Sequence, residues 1–183
     1  PVTSRFAVAG VHSGKFTLVF GGDTSLGESY IAKMDNPDIT QRMARTPESF
    51  FEKLLPLVSD KDHLTLNFEG VLASGADDPW HGKKKYLGQE NPERTVSVLK
   101  AIGVDSVSLA NNHSMDFGTH QLLQSMQHFN DESIRTFGAG QNQAESSQPL
   151  SLSTAIGNIH ILSGFEYRRR YHEDFRSYSA NSR

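Results

Sequence analysis

The chain has 183 residues, 36% hydrophobic and 21% charged, with a formal net charge of -3. That is enough for one domain with a sizeable core, and too balanced for a disordered chain or a global affinity for nucleic acid. With no cysteine, thiolate metal sites, cysteine nucleophiles and disulfides are excluded, and eight histidines remain as candidate ligands.

No run approaches the roughly 18 apolar residues that cross a bilayer, and the first residues lack the pattern of a secretion signal. Residues 1–183 are therefore read as one domain. In chain order, Phe6–Val11 and Phe16–Phe20 are apolar β-type runs separated by His12-Ser13-Gly14-Lys15, which predicts a hairpin or a lead-in strand. The second run ends in Gly21-Gly22-Asp23-Thr24-Ser25-Leu26-Gly27, where a turn at the strand end exposes the Asp23 carboxylate. Residues 28–46 read as irregular or weakly helical. Thr46-Pro47-Glu48 starts a predicted helix over Ser49–Val58, with Pro56 an obstacle near its end. His63–Asn67 alternates as a strand and releases Glu69.

Residues 73–90 carry turn formers and charge, including Lys83-Lys84-Lys85, and are long enough to suggest a functional loop. Asn91-Pro92-Glu93 caps a helix through Val96, Leu99 and Ile102, ended by Gly103. The run Val104–Ala110 then reads as a strand that delivers Asn111-Asn112-His113-Ser114-Met115-Asp116 into a loop. A helix follows Gly118, with Leu122, Leu123, Met126 and Phe129 on its apolar face. Ile134–Phe137 reads as a short strand. Pro149–Ala155 and Ile159–Leu162 read as a hairpin turning at Gly157-Asn158. The alternation of strands and helices predicts an α/β sandwich with an antiparallel addition.

Asp23, Glu69, Asn112 and His113 each follow a β-type run, so parallel neighbouring strands would converge them on one edge, where open α/β folds place their sites. Two carboxylates, an amide oxygen and an imidazole suit Mg²⁺, Mn²⁺, Fe²⁺ or Zn²⁺, and such a site activates water against a phosphoester. Plainer readings stand beside this one. Gly22-Asp23 also fits a turn, Asp116 also fits a helix cap, and Lys83–Lys85 and Arg168–Arg170 also fit solvated faces. Of the other histidines, His63, His81, His120, His128, His160 and His172 show no paired ligand spacing, and Ser25 has no adjacent Asp-His arrangement for a nucleophile.

Four segments in this order resemble the bacterial capsule-synthesis CapA family, the poly-γ-glutamate biosynthesis proteins. They are Gly22-Asp23-Thr-Ser-Leu26-Gly27, Leu66-Asn67-Phe68-Glu69, Ser108-Leu-Ala-Asn-Asn-His113-x-x-Asp116-Phe-Gly118 and Phe137-Gly-Ala-Gly140-x-Asn142. The match runs over roughly residues 16 to 165. The resemblance implies a metallophosphoesterase-like α/β/β/α sandwich, a divalent metal centre of one or two ions, Asp23, Glu69 and Asn112 as metal ligands, and His113 as proton donor. It extends to Asn111, Asp116 and Lys85 as substrate contacts, to poly-γ-glutamate or another anionic polymer and capsule synthase subunits as partners, and to the outer face of the cytoplasmic membrane. The broader superfamily has His two residues after the first Asp, where this chain has Ser25, and uses a later Gly-His-x-His segment that does not follow residue 140. The chain is therefore expected to stop on the C-terminal side before the remainder of the domain. The alternative function is a non-catalytic polyanion-binding or scaffold subunit with a degenerate site.

Overall fold

The structure is a computed structural model that describes residues 14–31, 33–75 and 87–166, together with the short strands at 5–6 and 181–182. Strand alternation sets its layers. In β3 (His63–Phe68), Leu64, Leu66 and Phe68 enter the main apolar core, while His63 and Thr65 reach Ser106 on the other face. In β2 (Leu18–Thr24), Val19 joins the main core and Leu18 joins a second cluster with Phe137, Leu150 and Leu152.

These strands belong to a five-stranded sheet of order β1-β2-β3-β6-β7, with β1 at Arg5–Phe6, β6 at Ser106–Ser108 and β7 at Arg135–Phe137. β1 is antiparallel to β2, and all other neighbours are parallel. On one face lie α4 (Pro92–Ala101) and α5 (Gly118–Asp131), the crossover helices that parallel neighbours require. They bury Val96, Leu99, Leu122 and Phe129, with Phe129 edge-on to Phe68 at 5.1 Å and 78°. On the other face the hairpin β8 (Leu150–Thr154) and β9 (Gly157–Ile161) packs Leu150 and Leu152 on Leu18 and Phe137. The fold is thus α/β with the antiparallel addition that the strand pattern anticipates.

Several elements differ in detail from the sequence reading. Residues 28–46 hold α1 (Glu28–Ile31) and a nine-residue α2 (Pro37–Arg45), whose N-cap Asn36 accepts the Ile39 N–H and whose first residue is Pro37. Periodicity missed α2 because Met43 is its one buried residue. The helix expected over Ser49–Val58 is broken into a 3₁₀ turn (Pro47–Phe51) and a single-turn α3 (Leu55–Val58), with Pro56 inside the first turn of α3, where a missing N–H costs nothing. Residues 71–72 (β4) pair in parallel with Gln89–Glu90 (β5). The predicted strand at Val104–Ala110 is regular over Ser106–Ser108 alone. The β8–β9 turn falls at Ala155-Ile156, because Gly157 already pairs with Thr154. Residues 7–13, the far side of the expected N-terminal hairpin, lie outside the described residues, although Arg5–Phe6 do pair antiparallel with β2.

Candidate functional site at the strand ends

A bulge aims the first acid. Phe20 pairs with Thr65 and Asp23 pairs with Asn67, so three residues of β2 span two of β3. Without the extra residue, alternation would turn Asp23 to the helical face; with it, Asp23 shares the face of Asn67. The bulge passes through Gly21, where a Cβ would stand 2.2 Å from Leu66 Cδ2. Asn67 Nδ2 then donates to Asp23 Oδ1 at 2.6 Å.

The same amide continues to the third strand. Asn111, 5% exposed, donates from Nδ2 to Asn67 Oδ1 (3.1 Å) and to the Phe68 carbonyl (2.8 Å), and its Oδ1 accepts the His113 backbone N–H (2.9 Å). Ser114 Oγ donates to the Leu109 carbonyl, closing the turn. Amide and hydroxyl bonds rather than regular structure therefore hold the loop that carries Asn112 and His113, and Asn112 sits half-buried between them.

His113 is oriented from behind. Asp116, 1% exposed, takes the His113 Nδ1–H (2.7 Å) and the Gly88 N–H (2.8 Å) on its Oδ2. Because that oxygen already accepts from a backbone N–H, Nδ1 is the protonated nitrogen and Nε2 is the one presented outward. Nε2 faces Glu69 Oε1 at 3.8 Å, with Glu69 partly open to solvent. The Gly88 N–H arrives there because residues 88 and 70 touch backbone to backbone: a Cβ on Gly88 would lie 2.8 Å from Gly70 Cα and 2.9 Å from the Glu69 carbonyl. Glu69 N in turn donates to the Thr24 carbonyl (2.9 Å), tying the second strand end to the first.

Ser25, at the position where the superfamily has histidine, donates to Glu90 Oε1, which also accepts the Gly27 N–H at 2.9 Å. Glu90 is 1% exposed and its Oε2 has no partner among the described residues. Burial pushes its carboxyl above the usual range, the bonds from Ser25 and Gly27 oppose that, and nearby Glu28 adds to it. Glu28 itself is engaged by Arg94 at 2.7 Å and by the Asn91 N–H at 2.8 Å.

The structure brings Glu69, His113 and Asp116 together, and links Asp23 to Asn111 through Asn67. Among the described residues, no three His, Asp or Glu side chains gather into one metal-binding group. The reading of Asp116 as cap of α5 is corrected: Phe117 occupies the N-cap without a side-chain bond, and the Asp116 carboxylate is turned to His113. Lys85 and the runs Lys83–Lys85 and Arg168–Arg170 lie outside the described residues. His160 is bonded through Nδ1 to Ser151 Oγ (2.9 Å) on the hairpin. Asn67 and Glu90 were not singled out from sequence. Strand parity carried a signal for Asn67, which lies on the face opposite Leu66 and Phe68; nothing in the sequence marks Glu90.

A parallel sheet whose strand ends present carboxylates, an amide ladder and an imidazole held by a buried acid is metallophosphoesterase-like in fold. The chain belongs to the family described as bacterial capsule synthesis protein PGA_cap, whose model matches residues 17–182. It is 26% identical over 146 residues to the PGA biosynthesis protein CapA of Bacillus subtilis (strain 168), covering 80% of this chain and 36% of that protein. It is 24% identical over 128 residues to the capsule biosynthesis protein CapA of Bacillus anthracis, covering 70% and 29%. A further relative, the uncharacterized protein y4sH of Sinorhizobium fredii (strain NBRC 101917 / NGR234), is 25% identical over 150 residues, covering 81% and 30%. The chain spans about a third of the length of these relatives. Among the described residues no helix is long and apolar enough to cross a membrane.

Proposed function

We propose that this domain serves the synthesis of an extracellular polyanion and that its strand-end site hydrolyses phosphoesters with a divalent metal ion. Poly-γ-glutamate or a similar anionic polymer and capsule synthase subunits are its proposed partners, at the outer face of the cytoplasmic membrane. The names of the two Bacillus relatives support the biological half of this reading.

The chemical half rests on one observation: the His113 imidazole, fixed through Nδ1 by buried Asp116, presents Nε2 toward Glu69 at 3.8 Å. Carboxylates with an amide oxygen and an imidazole nearby are donors for a hard or borderline ion, so Glu69, Asp23 and Asn112 are the proposed ligands. When bound, the ion supplies Lewis acidity and a hydroxide at neutral pH. Asp116 accepts the Nδ1–H, Asn111 holds the loop, and His113, carrying a second proton on Nε2 as the imidazolium, would pass that proton to the leaving oxygen and keep the Nδ1–H.

Calorimetric titration with Mn²⁺ and turnover of bis(p-nitrophenyl) phosphate test this. Wild-type protein is expected to bind Mn²⁺ and to turn over the diester, and His113→Ala to keep metal binding while losing about 10²- to 10⁴-fold in rate. Absence of Mn²⁺ binding, or equal rates in the two proteins, overturns the hydrolase and leaves a polyanion-binding scaffold.

A further inference from the structure

On the hairpin side of the sheet an open groove of about 300 Å³ runs from the ends of β2 and β3 past β6 to residues 161–164. Its volume is at the low end for small-molecule sites, room for one ring rather than a stretch of polymer. Phe20, Phe137 and Ile161 give it apolar walls, and Thr65, Ser108 and Ser163 give it hydroxyls. No charged side chain lines it among the described residues.

Asn67 connects this groove to the site. It lines the groove and also donates to Asp23 Oδ1 at 2.6 Å. A molecule seated in the groove therefore abuts the strand edge that carries the first acid. The hydroxyls are paired with each other, Ser108 with Ser163 at 2.5 Å and Thr65 with Ser106 at 2.5 Å. Each hydroxyl has one donor and two acceptor positions, so a pair of hydroxyls retains acceptor capacity beyond its mutual bond. Aromatic walls with uncharged hydroxyl and amide groups match a molecule that has apolar C–H faces and hydroxyl edges. They mismatch a carboxylate-rich chain, whose charges would be desolvated with no cation to meet them.

We infer that this groove is a subsite for one uncharged, hydroxyl-bearing sugar ring, the group esterified to the phosphate at the strand ends. The phosphate's place rests on the hydrolase reading above; the groove's preference for a neutral ring does not.

Saturation-transfer NMR with methyl α-D-glucopyranoside, a probe without phosphate, tests it on the full chain. Transfer is expected with wild-type protein and with His113→Ala, and is expected to be lost in Ser163→Phe and in Gly164→Leu, which add bulk at two residues that line the groove. Melting temperatures verify the fold, and the exposed position of Gly164 keeps that variant available should Ser163→Phe fail to fold. No transfer to wild-type protein, or undiminished transfer in a folded groove-filled variant, overturns the subsite. Displacement of the glucoside by a polyglutamate peptide also overturns it. Transfer from a protein that hydrolyses no phosphoester upholds the subsite and removes the hydrolase reading alone.

Discussion

Asp116 carries two donors on one oxygen, the Gly88 N–H and the His113 Nδ1–H, and is 1% exposed while doing so. An amide oxygen in that place can still accept both, but without the carboxylate's charge, so each bond weakens. Asp116→Asn is therefore expected to fold, to loosen the imidazole, and to cost about 10- to 100-fold in diester turnover, the range for partners that orient a site histidine. Melting temperature and a split of kcat from KM separate this from simple destabilisation, because a loosened imidazole lowers kcat in a protein that melts as the wild type does. An unchanged kcat would remove Asp116 from the site's function. The sequence shows Asp116 three residues beyond His113, but a cap and an orienter share that spacing, and only burial against Gly88 distinguishes them.

Elements position these residues by local rules that are mostly legible. Asn91 caps α4 by accepting the Arg94 N–H at 2.8 Å, as Asn-Pro-Glu before an apolar run indicates, and α4 then lays Val96 and Leu99 on the sheet. Asn91→Ala is expected to destabilise the domain by about 1 kcal/mol, read by urea denaturation, with the groove and the strand-end site unchanged. The register of β2 was less legible. Gly21-Gly22 signals a turn in sequence, whereas in the fold it is a bulge inside a strand that keeps pairing through Thr24. A turn and a bulge ask the same freedom of glycine, and the choice between them depends on β3 being alongside. The segment 47–58 failed for the complementary reason: its apolar residues have helical spacing, but the 3₁₀ turn and α3 bury none of them.

At the scale of the whole molecule, two buried ionisable groups tie distant segments together and give stability two opposite pH dependences. Glu90 on β5 holds the loop after β2, and burial raises its carboxyl above the usual value, so its contribution is present at low pH and is lost as pH rises through the folded value. His63 on β3 bonds Ser106 on β6 at 2.9 Å. Burial lowers its imidazole below 6.5, with Arg135 and Lys61 in the same direction and Asp105 opposed. Its contribution is present above 6.5 and is lost as pH falls through the folded value. As pH rises from 4.5 toward 6.5 the Glu90 contribution falls while the His63 contribution grows, and a melting-temperature profile across that range reads the two against each other. Glu90→Gln, which cannot ionise, should flatten the limb above the ordinary carboxylate range and leave the acid limb in place. A Glu90→Gln profile parallel to wild type would show that the buried carboxyl does not titrate with folding.

The sequence by itself determined the α/β class and the strand ends at which Asp23, Glu69, Asn112 and His113 arise, and its four motif segments carried the resemblance to the family. The first two follow from period, capping and residue order, which are local properties of a chain. Only the tertiary structure decided which side chains meet. The one-residue bulge that turns Asp23 to Asn67, the burial that makes Asp116 the partner of His113, and the placing of Glu90 against Ser25 each depend on backbones distant in sequence. Hydrogen bonds of that kind are set by distances of about 3 Å between segments, and no pattern along a single strand or helix encodes them.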